Sequence, residues 1–171
     1  MATSTPGGGQ HDGVVAAIVL AAAGLKRLGL AERIRAPFDE VAMIPAAGQG
    51  ALGIEVRADA ATLRAQLGDM IHAPTWLSVH AERAVSRALG GSCSMPLAAH
   101  AVWQGDQLVM SAALGHAEDT ARPLLRTQAQ ARIPQDSGAA ATALADALGR
   151  QAADQLRALG ADAYLAAAPA S

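Results

Sequence analysis

Apolar residues near the start of the chain form one unbroken run, VVAAIVLAA, at residues 14–22. The run has the length of a strand and no polar alternation, which is typical of a strand covered on both faces in an α/β sheet. Residues 24–34 follow with the pattern of a short helix or helical turn. Residues 1–13 are rich in Gly, Ser, Thr and Pro without periodicity, so we expect a disordered leader.

The next part of the pattern mixes short apolar segments with glycines. Residues 38–59 are predicted to contain a short strand, a glycine-rich crossing and a second strand over 52–57. A helix is predicted over 59–71, with Asp59 at its start and Pro74 beyond its end. The crossing is marked by three glycines: Gly48, Gly50 and Gly53.

An amphipathic helix is predicted over residues 75–91, with Thr75 as its N-cap and Gly90 and Gly91 as its stop signal. Its apolar residues recur at helical spacing and should face a core. They are Leu77, Ala81, Ala84, Val85, Ala88 and Leu89.

Three strand patterns and a second long helix complete the chain. Residues 97–103 and 107–114 flank a Gly-Asp turn, which predicts a hairpin, and 122–131 predicts a third antiparallel strand. Residues 137–164 predict an amphipathic helix. The expected fold is an α+β C-terminal domain, a three-stranded antiparallel sheet with helices, preceded by an incomplete α/β portion. The anchors expected for the last helix are Leu144, Leu148, Leu156 and Leu159.

Composition narrows the classes of function. Thirteen Lys and Arg against fifteen Asp and Glu give a net charge of −2, and no basic run is interleaved with aromatics. Nucleic acid is therefore not an expected partner. The apolar run at 14–25 is too short to span a bilayer. One cysteine makes no internal disulfide and belongs to no zinc-like tetrad, so we expect a cytoplasmic protein without a metal site or a membrane partner.

The single cysteine, Cys93, lies in the stretch LGGSCSMPL at residues 89–97, which is predicted to be a loop. One interpretation is a buried, inert thiol. The other is a nucleophile or an attachment point, which needs positive charge supplied by another part of the fold. His80, His100 and His116 could pair with Cys93 in a Cys/His hydrolase, but no third orienting residue is evident.

Three other groups of residues suggest chemistry less strongly. Lys26 and Arg27 follow the first predicted strand, where ligand clefts of α/β sheets lie, and a guanidinium there suits a carboxylate ligand; the alternative is a solvated helix end. Glu82 and Arg83 are expected in surface or interdomain ion pairs rather than in an acid/base site. The segment AAGQGALG lacks the lysine of a phosphate loop, so its glycines indicate a close backbone crossing.

The ordered set LAAAGLKRLGL, IPAAGQGALGIEVR and HAERAVSRALGGSCSMPLAAHA closely resembles the porphobilinogen deaminase (hydroxymethylbilane synthase) family, over residues 14–165. The motifs are specific in combination. The resemblance implies a transferase of tetrapyrrole biosynthesis (haem, chlorophyll, cobalamin) that joins four porphobilinogen units, with loss of ammonia, into hydroxymethylbilane. Family members have three domains and are usually monomeric.

The resemblance also implies roles for particular residues. Cys93 matches the cysteine that holds a dipyrromethane cofactor through a thioether, on which the linear pyrrole chain grows. Arg27 matches an arginine that contacts the acetate and propionate groups of the pyrroles. Gln49, with Gly48 and Gly50 beside it, matches the crossing segment next to the catalytic cleft.

The chain departs from the family pattern in two ways. It has no K-D-x-P motif, which carries the family's catalytic aspartate, and it lacks the arginine-rich part of the second domain. No catalytic residue is therefore assigned to this chain. The implied layout is a second-domain remnant at 14–40, a return to the first domain at 41–71, the cofactor-carrying domain at 72–166 and a tail at 167–171.

Two hypotheses follow from the matches and the departures. In the first, the chain is the C-terminal part of a deaminase, inactive without a complementing N-terminal half, and its leader marks a truncated or split gene or an arbitrary cut. In the second, it is a stand-alone, non-catalytic α+β binding module. In that case Cys93 is a relic or holds another ligand.

Overall fold

The computed structural model describes residues 17–91 and 95–166, which form two compact units, one up to Asp39 and one from Glu40 onward. Five α-helices, a 3-10 helix and three strands occur in these residues. In chain order they are α1 (Ala22–Arg27), the 3-10 helix Ala31–Arg33, α2 (Ala61–Gly68), α3 (Ala73–Ala88), β1 (Leu97–Gln104), β2 (Gln107–Leu114), β3 (Leu125–Arg132), α4 (Ala139–Ala158) and α5 (Ala161–Leu165).

The first unit corrects the prediction of a strand at 14–22. Residues 14–16 lie outside the described residues, 17–21 have no regular structure, and α1 already begins at Ala22. Ile18 is 70% exposed. A strand needs a neighbour for its backbone N–H and C=O groups, and residues 17–39 contain no second strand. The prediction of a short helix or helical turn over 24–34 is confirmed in part, because the structure has two separate short helices there, α1 and the 3-10 helix.

Residues 40–71 contain the predicted helix but not the predicted strands. Residues 51–57 have no regular structure, and Leu52 is 98% exposed. Helix α2 starts at Ala61 and not at Asp59, whose carboxylate pairs with the guanidinium of Arg57 at 2.7 Å. This pair lowers the pKa of Asp59 and raises that of Arg57.

The three strands form an antiparallel sheet in the order β1, β2, β3, which confirms the predicted hairpin and third strand. In the turn between β1 and β2, Gly105 has φ +64° and Asp106 does not have a positive φ, as in a two-residue II′ turn. Strand β3 begins at Leu125, two residues after Pro123, whose nitrogen has no hydrogen to donate to the ladder.

Helices α3 and α4 pack on one face of the sheet and enclose the core. Leu77, Ala81 and Val85 of α3 are fully buried, as predicted, against the even-numbered residues of β2. The helix begins at Ala73, so Thr75 lies inside its first turn and bonds the ring of His72 instead of capping. The predicted stop is confirmed at Gly90, which has φ +79°.

Small residues dominate the contact between α3 and α4. Ala145, Ala152 and Ala153 of α4 have no exposed surface, and a Cβ on Gly149 would lie 2.1 Å from the carbonyl oxygen of Ala81. The two backbones therefore approach closely only because residue 149 has no side chain.

The C-terminal helix prediction is only partly correct. Leu148 and Leu156 are buried as expected, but Leu144 and Leu159 are 45% and 53% exposed. The structure has two helices in place of the single predicted one, because Gly160, with φ +98°, separates α4 from α5.

We predict that Gly149→Ala lowers the free energy of unfolding by about 1–3 kcal/mol, because the added methyl group overpacks the α3–α4 contact. Gly68→Ala is the matched control, since Gly68 also lies in a helix but a Cβ there meets nothing within 4 Å. Its effect should stay within about 1 kcal/mol. Urea unfolding followed by circular dichroism measures both, and equal stability of the two variants would contradict the packing argument.

Candidate functional site

Cys93 itself lies outside the described residues, but both stems of its loop are described. On the first stem, the Gly91 N–H donates to the Ser86 carbonyl at 2.8 Å. On the second, the Gly115 N–H donates to the Pro96 carbonyl at 2.9 Å. The end of α3 and the residue after β2 therefore fix the two stems of the cysteine loop, residues 89–97.

The predicted glycine crossing is a tight turn, here called the glycine turn, residues 47–50. The Gln49 N–H donates to the Ala46 carbonyl at 3.0 Å, and the Ala51 N–H donates to the Gly48 carbonyl at 3.1 Å. Gly48 and Gly50 have φ of +76° and +84°, a region that favours glycine. The Gln49 side chain is exposed at the tip of this turn.

Glu82 is a buried residue with a central place in this site, and only 4% of its surface is exposed. Its Oε2 accepts the Gly48 N–H at 2.7 Å, and its Oε1 accepts the Ala101 N–H at 2.9 Å. The Oε1 also lies 3.2 Å from Nδ1 of His100. One carboxylate therefore joins the glycine turn, α3 and β1.

The prediction that Glu82 lies in a surface or interdomain ion pair is wrong. Its partners are backbone amides and an imidazole of the same unit, whereas Arg83 is exposed as expected. Helical spacing could have identified Glu82, because it precedes Val85 by three residues and Leu89 by seven and so shares their buried face. The charge of Glu82 favours a position on the surface, and the sequence does not show the backbone amides that compensate the buried carboxylate.

Further contacts bind the segment before the glycine turn to the sheet. The Ala99 N–H donates to the Pro45 carbonyl at 3.0 Å, and the Arg126 guanidinium donates to the Val41 carbonyl at 2.9 Å. The Glu40 carboxylate lies 3.9 Å from Nε2 of His100. Residues 40–48 therefore follow the sheet closely even though they form no strand.

The other two histidines considered as partners of Cys93 have structural contacts. His80 Nδ1 lies 3.4 Å from the carboxylate of Asp146, which also accepts from Arg87 at 2.9 Å. His116 Nδ1 accepts the N–H of Asp119 at 3.0 Å. These contacts give the Cys/His hydrolase hypothesis no support.

Arg27 belongs to the first unit, where it is exposed in the last turn of α1. Lys26 lies beside it in the same turn. Both are basic residues at a helix C-terminus, where a positive charge is favourable. The binding role expected for Arg27 stays a prediction.

Two kinds of site are absent from residues 17–91 and 95–166. No helix there is long and apolar enough to cross a membrane. No group of three or more His, Cys, Asp or Glu side chains within these ranges could hold a metal ion.

Two family models match the chain. The model described as "Porphobilinogen deaminase, dipyromethane cofactor binding domain" matches residues 9–65, which reach into α2. The model described as "Porphobilinogen deaminase, C-terminal domain" matches residues 76–158, from the first turns of α3 to the end of α4.

Curated relatives give the same family. A porphobilinogen deaminase of Albidiferax ferrireducens is 54% identical over 147 residues, which are 86% of this chain and 44% of the relative. That of Burkholderia thailandensis is 54% identical over 82% of this chain and 43% of the relative. That of Burkholderia mallei is 53% identical over 90% and 44%. The chain thus spans less than half the length of these relatives.

We predict that Gly50→Ala destabilises the glycine turn, because a left-handed backbone costs a residue with a Cβ about 1–2 kcal/mol. Gly53→Ala is the matched control, since Gly53 lies outside the left-handed region and has open space around it. Hydrogen exchange of the amides in residues 46–51, followed by mass spectrometry, should accelerate in the first variant and not in the second. Equal exchange in both variants would show that the turn carries no such strain.

Proposed function

The chain belongs to the porphobilinogen deaminase family, and from this we propose that it is the C-terminal portion of a deaminase. Such an enzyme is a transferase that condenses four porphobilinogen units into hydroxymethylbilane and releases ammonia. The observation that carries the proposal is the order of the two matches, the cofactor-binding part before the C-terminal domain, along one chain. The α+β layer of α3, β1, β2, β3 and α4 supports it.

We further propose that Cys93 holds dipyrromethane. The match to a dipyrromethane-binding family model supports this cofactor, and Cys93 is the sole thiol of the chain. Sulfur suits such an attachment, because Sγ forms a stable bond to the methylene carbon of a porphobilinogen unit as ammonia leaves, and the thiol proton is released. When bound, the cofactor supplies the free pyrrole carbon to which substrate is joined.

We propose the glycine turn of the second unit as a contact to the pyrroles and, as a separate proposal, Arg27 of the first unit. A Cβ at Gly48 or Gly50 would meet nothing within 4 Å among the described atoms, so the turn offers open space beside the exposed amide of Gln49. The guanidinium of Arg27 presents paired donors that match a carboxylate. The ligands proposed for each are the porphobilinogen units and the growing pyrrole chain, which carry acetate and propionate groups.

We propose that this chain needs a complementing polypeptide for activity. No described residue between 17 and 76 is buried, and this stretch contains thirteen large apolar residues that are exposed, including Phe38, Val41 and Ile54. In each of the two units, exposed apolar side chains in this number are typical of an interaction site. The occupant to which we commit is the rest of the cofactor-binding domain, because the relatives are about twice as long as this chain.

Mass spectrometry of the 171-residue chain co-expressed with the preceding residues of the Albidiferax relative tests the cofactor. We expect Cys93 to gain the mass of two porphobilinogen units less two ammonia. The Cys93→Ser variant, whose hydroxyl is a weaker nucleophile, should gain none. An unmodified Cys93 in that complex would overturn the attachment and favour the stand-alone binding module.

Activity gives a separate prediction. The isolated chain should form no hydroxymethylbilane from porphobilinogen, because it lacks the K-D-x-P aspartate, and the complex should form it. Ehrlich's reagent, which detects consumption of porphobilinogen, measures both samples. Turnover by the isolated chain would contradict the need for a complementing polypeptide.

A further inference from the structure

We propose that Glu82 is a positioning residue that sets where the glycine turn lies relative to the cysteine loop. The functional part of this inference rests on the proposed deaminase function. The structural part stands on contacts within the second unit alone. Glu82 touches neither Cys93 nor a pyrrole in this proposal, so it acts through the backbone that it holds.

The two carboxylate oxygens of Glu82 bind different elements. Oε2 is bound by the glycine turn through Gly48, at 2.7 Å. Oε1 is bound by β1 through Ala101, at 2.9 Å. Hydrogen bonds to a carboxylate are stronger than those to a neutral oxygen, and burial removes the competing water. The carboxylate therefore fixes the distance between the turn and the strand.

The bond from Gly48 also fixes the direction of the turn. Gly48 has φ +76°, and its N–H donates to Glu82. Rotation of that peptide would break the bond and would also displace the following residue, Gln49. The Pro45 carbonyl holds the entry to the turn on β1, three residues earlier. The segment thus accepts a hydrogen bond at Pro45 and donates one at Gly48, and together these two bonds define the path of the chain up to Gln49.

The helix that carries Glu82 also holds the cysteine loop. Ser86, one turn further along α3, accepts the N–H of Gly91 at 2.8 Å. A Cβ on Gly91 would lie 2.2 Å from Oγ of Ser86, so the loop stem passes very close to the helix. Glu82 binds the glycine turn and Ser86 binds Gly91, and these two residues are one turn apart on α3. The helix therefore sets the distance between the glycine turn and the stem of the cysteine loop.

A glutamine cannot replace this carboxylate. Its amide has one acceptor oxygen and one NH2 group, and the NH2 would face an N–H donor of either Gly48 or Ala101. One backbone donor, either the half-buried Gly48 N–H or the buried Ala101 N–H, would lose its partner. Glu82→Gln thus keeps the size of the side chain and removes one of the two bonds that define the position of the turn.

Hydrogen exchange of the whole chain, resolved by NMR, tests the structural part. In Glu82→Gln the amide of Gly48 or that of Ala101, whichever loses its acceptor, should exchange about tenfold faster or more, while those of β2 stay unchanged. Asp154→Asn is the control, because it removes an exposed carboxylate from α4 and should change neither amide. If exchange at both Gly48 and Ala101 is unchanged in Glu82→Gln, the inference is wrong.

The unsubstituted chain provides a measurement that does not depend on the folding of any variant. A carboxylate bond of 2.7 Å should move the Gly48 amide proton downfield and slow its exchange. An unprotected Gly48 amide in the folded chain would overturn the inference on its own.

Kinetics of the complex with the complementing polypeptide test the functional part. Glu82→Gln should lower kcat by about 10- to 100-fold with little change in KM, because a misplaced turn affects the reacting geometry more than the capture of substrate. Asp154→Asn should leave both constants unchanged. Lost protection at Gly48 with unchanged kcat would overturn the positioning role. If the unsubstituted complex is inactive, the proposed function fails, and the exchange experiment still decides the placement of the turn.

Discussion

The buried carboxylate of Glu82 is the contact on which the second unit most depends. A charge removed from water is costly, and here two backbone N–H groups and an imidazole compensate it. The same contact solves a second problem, because β1 is an edge strand with backbone donors that no other strand accepts. Glu82 accepts from Ala101, and the Pro45 carbonyl accepts from Ala99, so the irregular segment covers that edge.

Small side chains explain why the C-terminal layer forms a core while the residues before it do not. Only 2% of the chain is aromatic, so the core depends on close approach rather than on bulk. Ala81 against Gly149 brings α3 and α4 together, and Leu77, Leu108 and Leu148 fill the space between helices and sheet. Residues 17–76 contain apolar side chains of larger size, but their described neighbours leave none of them buried. The complementing polypeptide proposed above would supply a surface that covers them.

Sequence reasoning succeeded where an element and its packing partner lie within the same layer. The stripe of α3, the hairpin and the third strand all have local partners, so their periodicity determines their structure. It failed for 14–22 and 52–57, whose patterns describe strands only when a sheet is present beside them. In α4, the size of leucine favoured Leu144 and Leu159 as anchors, but the contact with α3 selects the alanine and glycine face. The role assigned to Cys93 rests on the sequence alone and stays a prediction, whereas the Glu82 contact could come only from the structure.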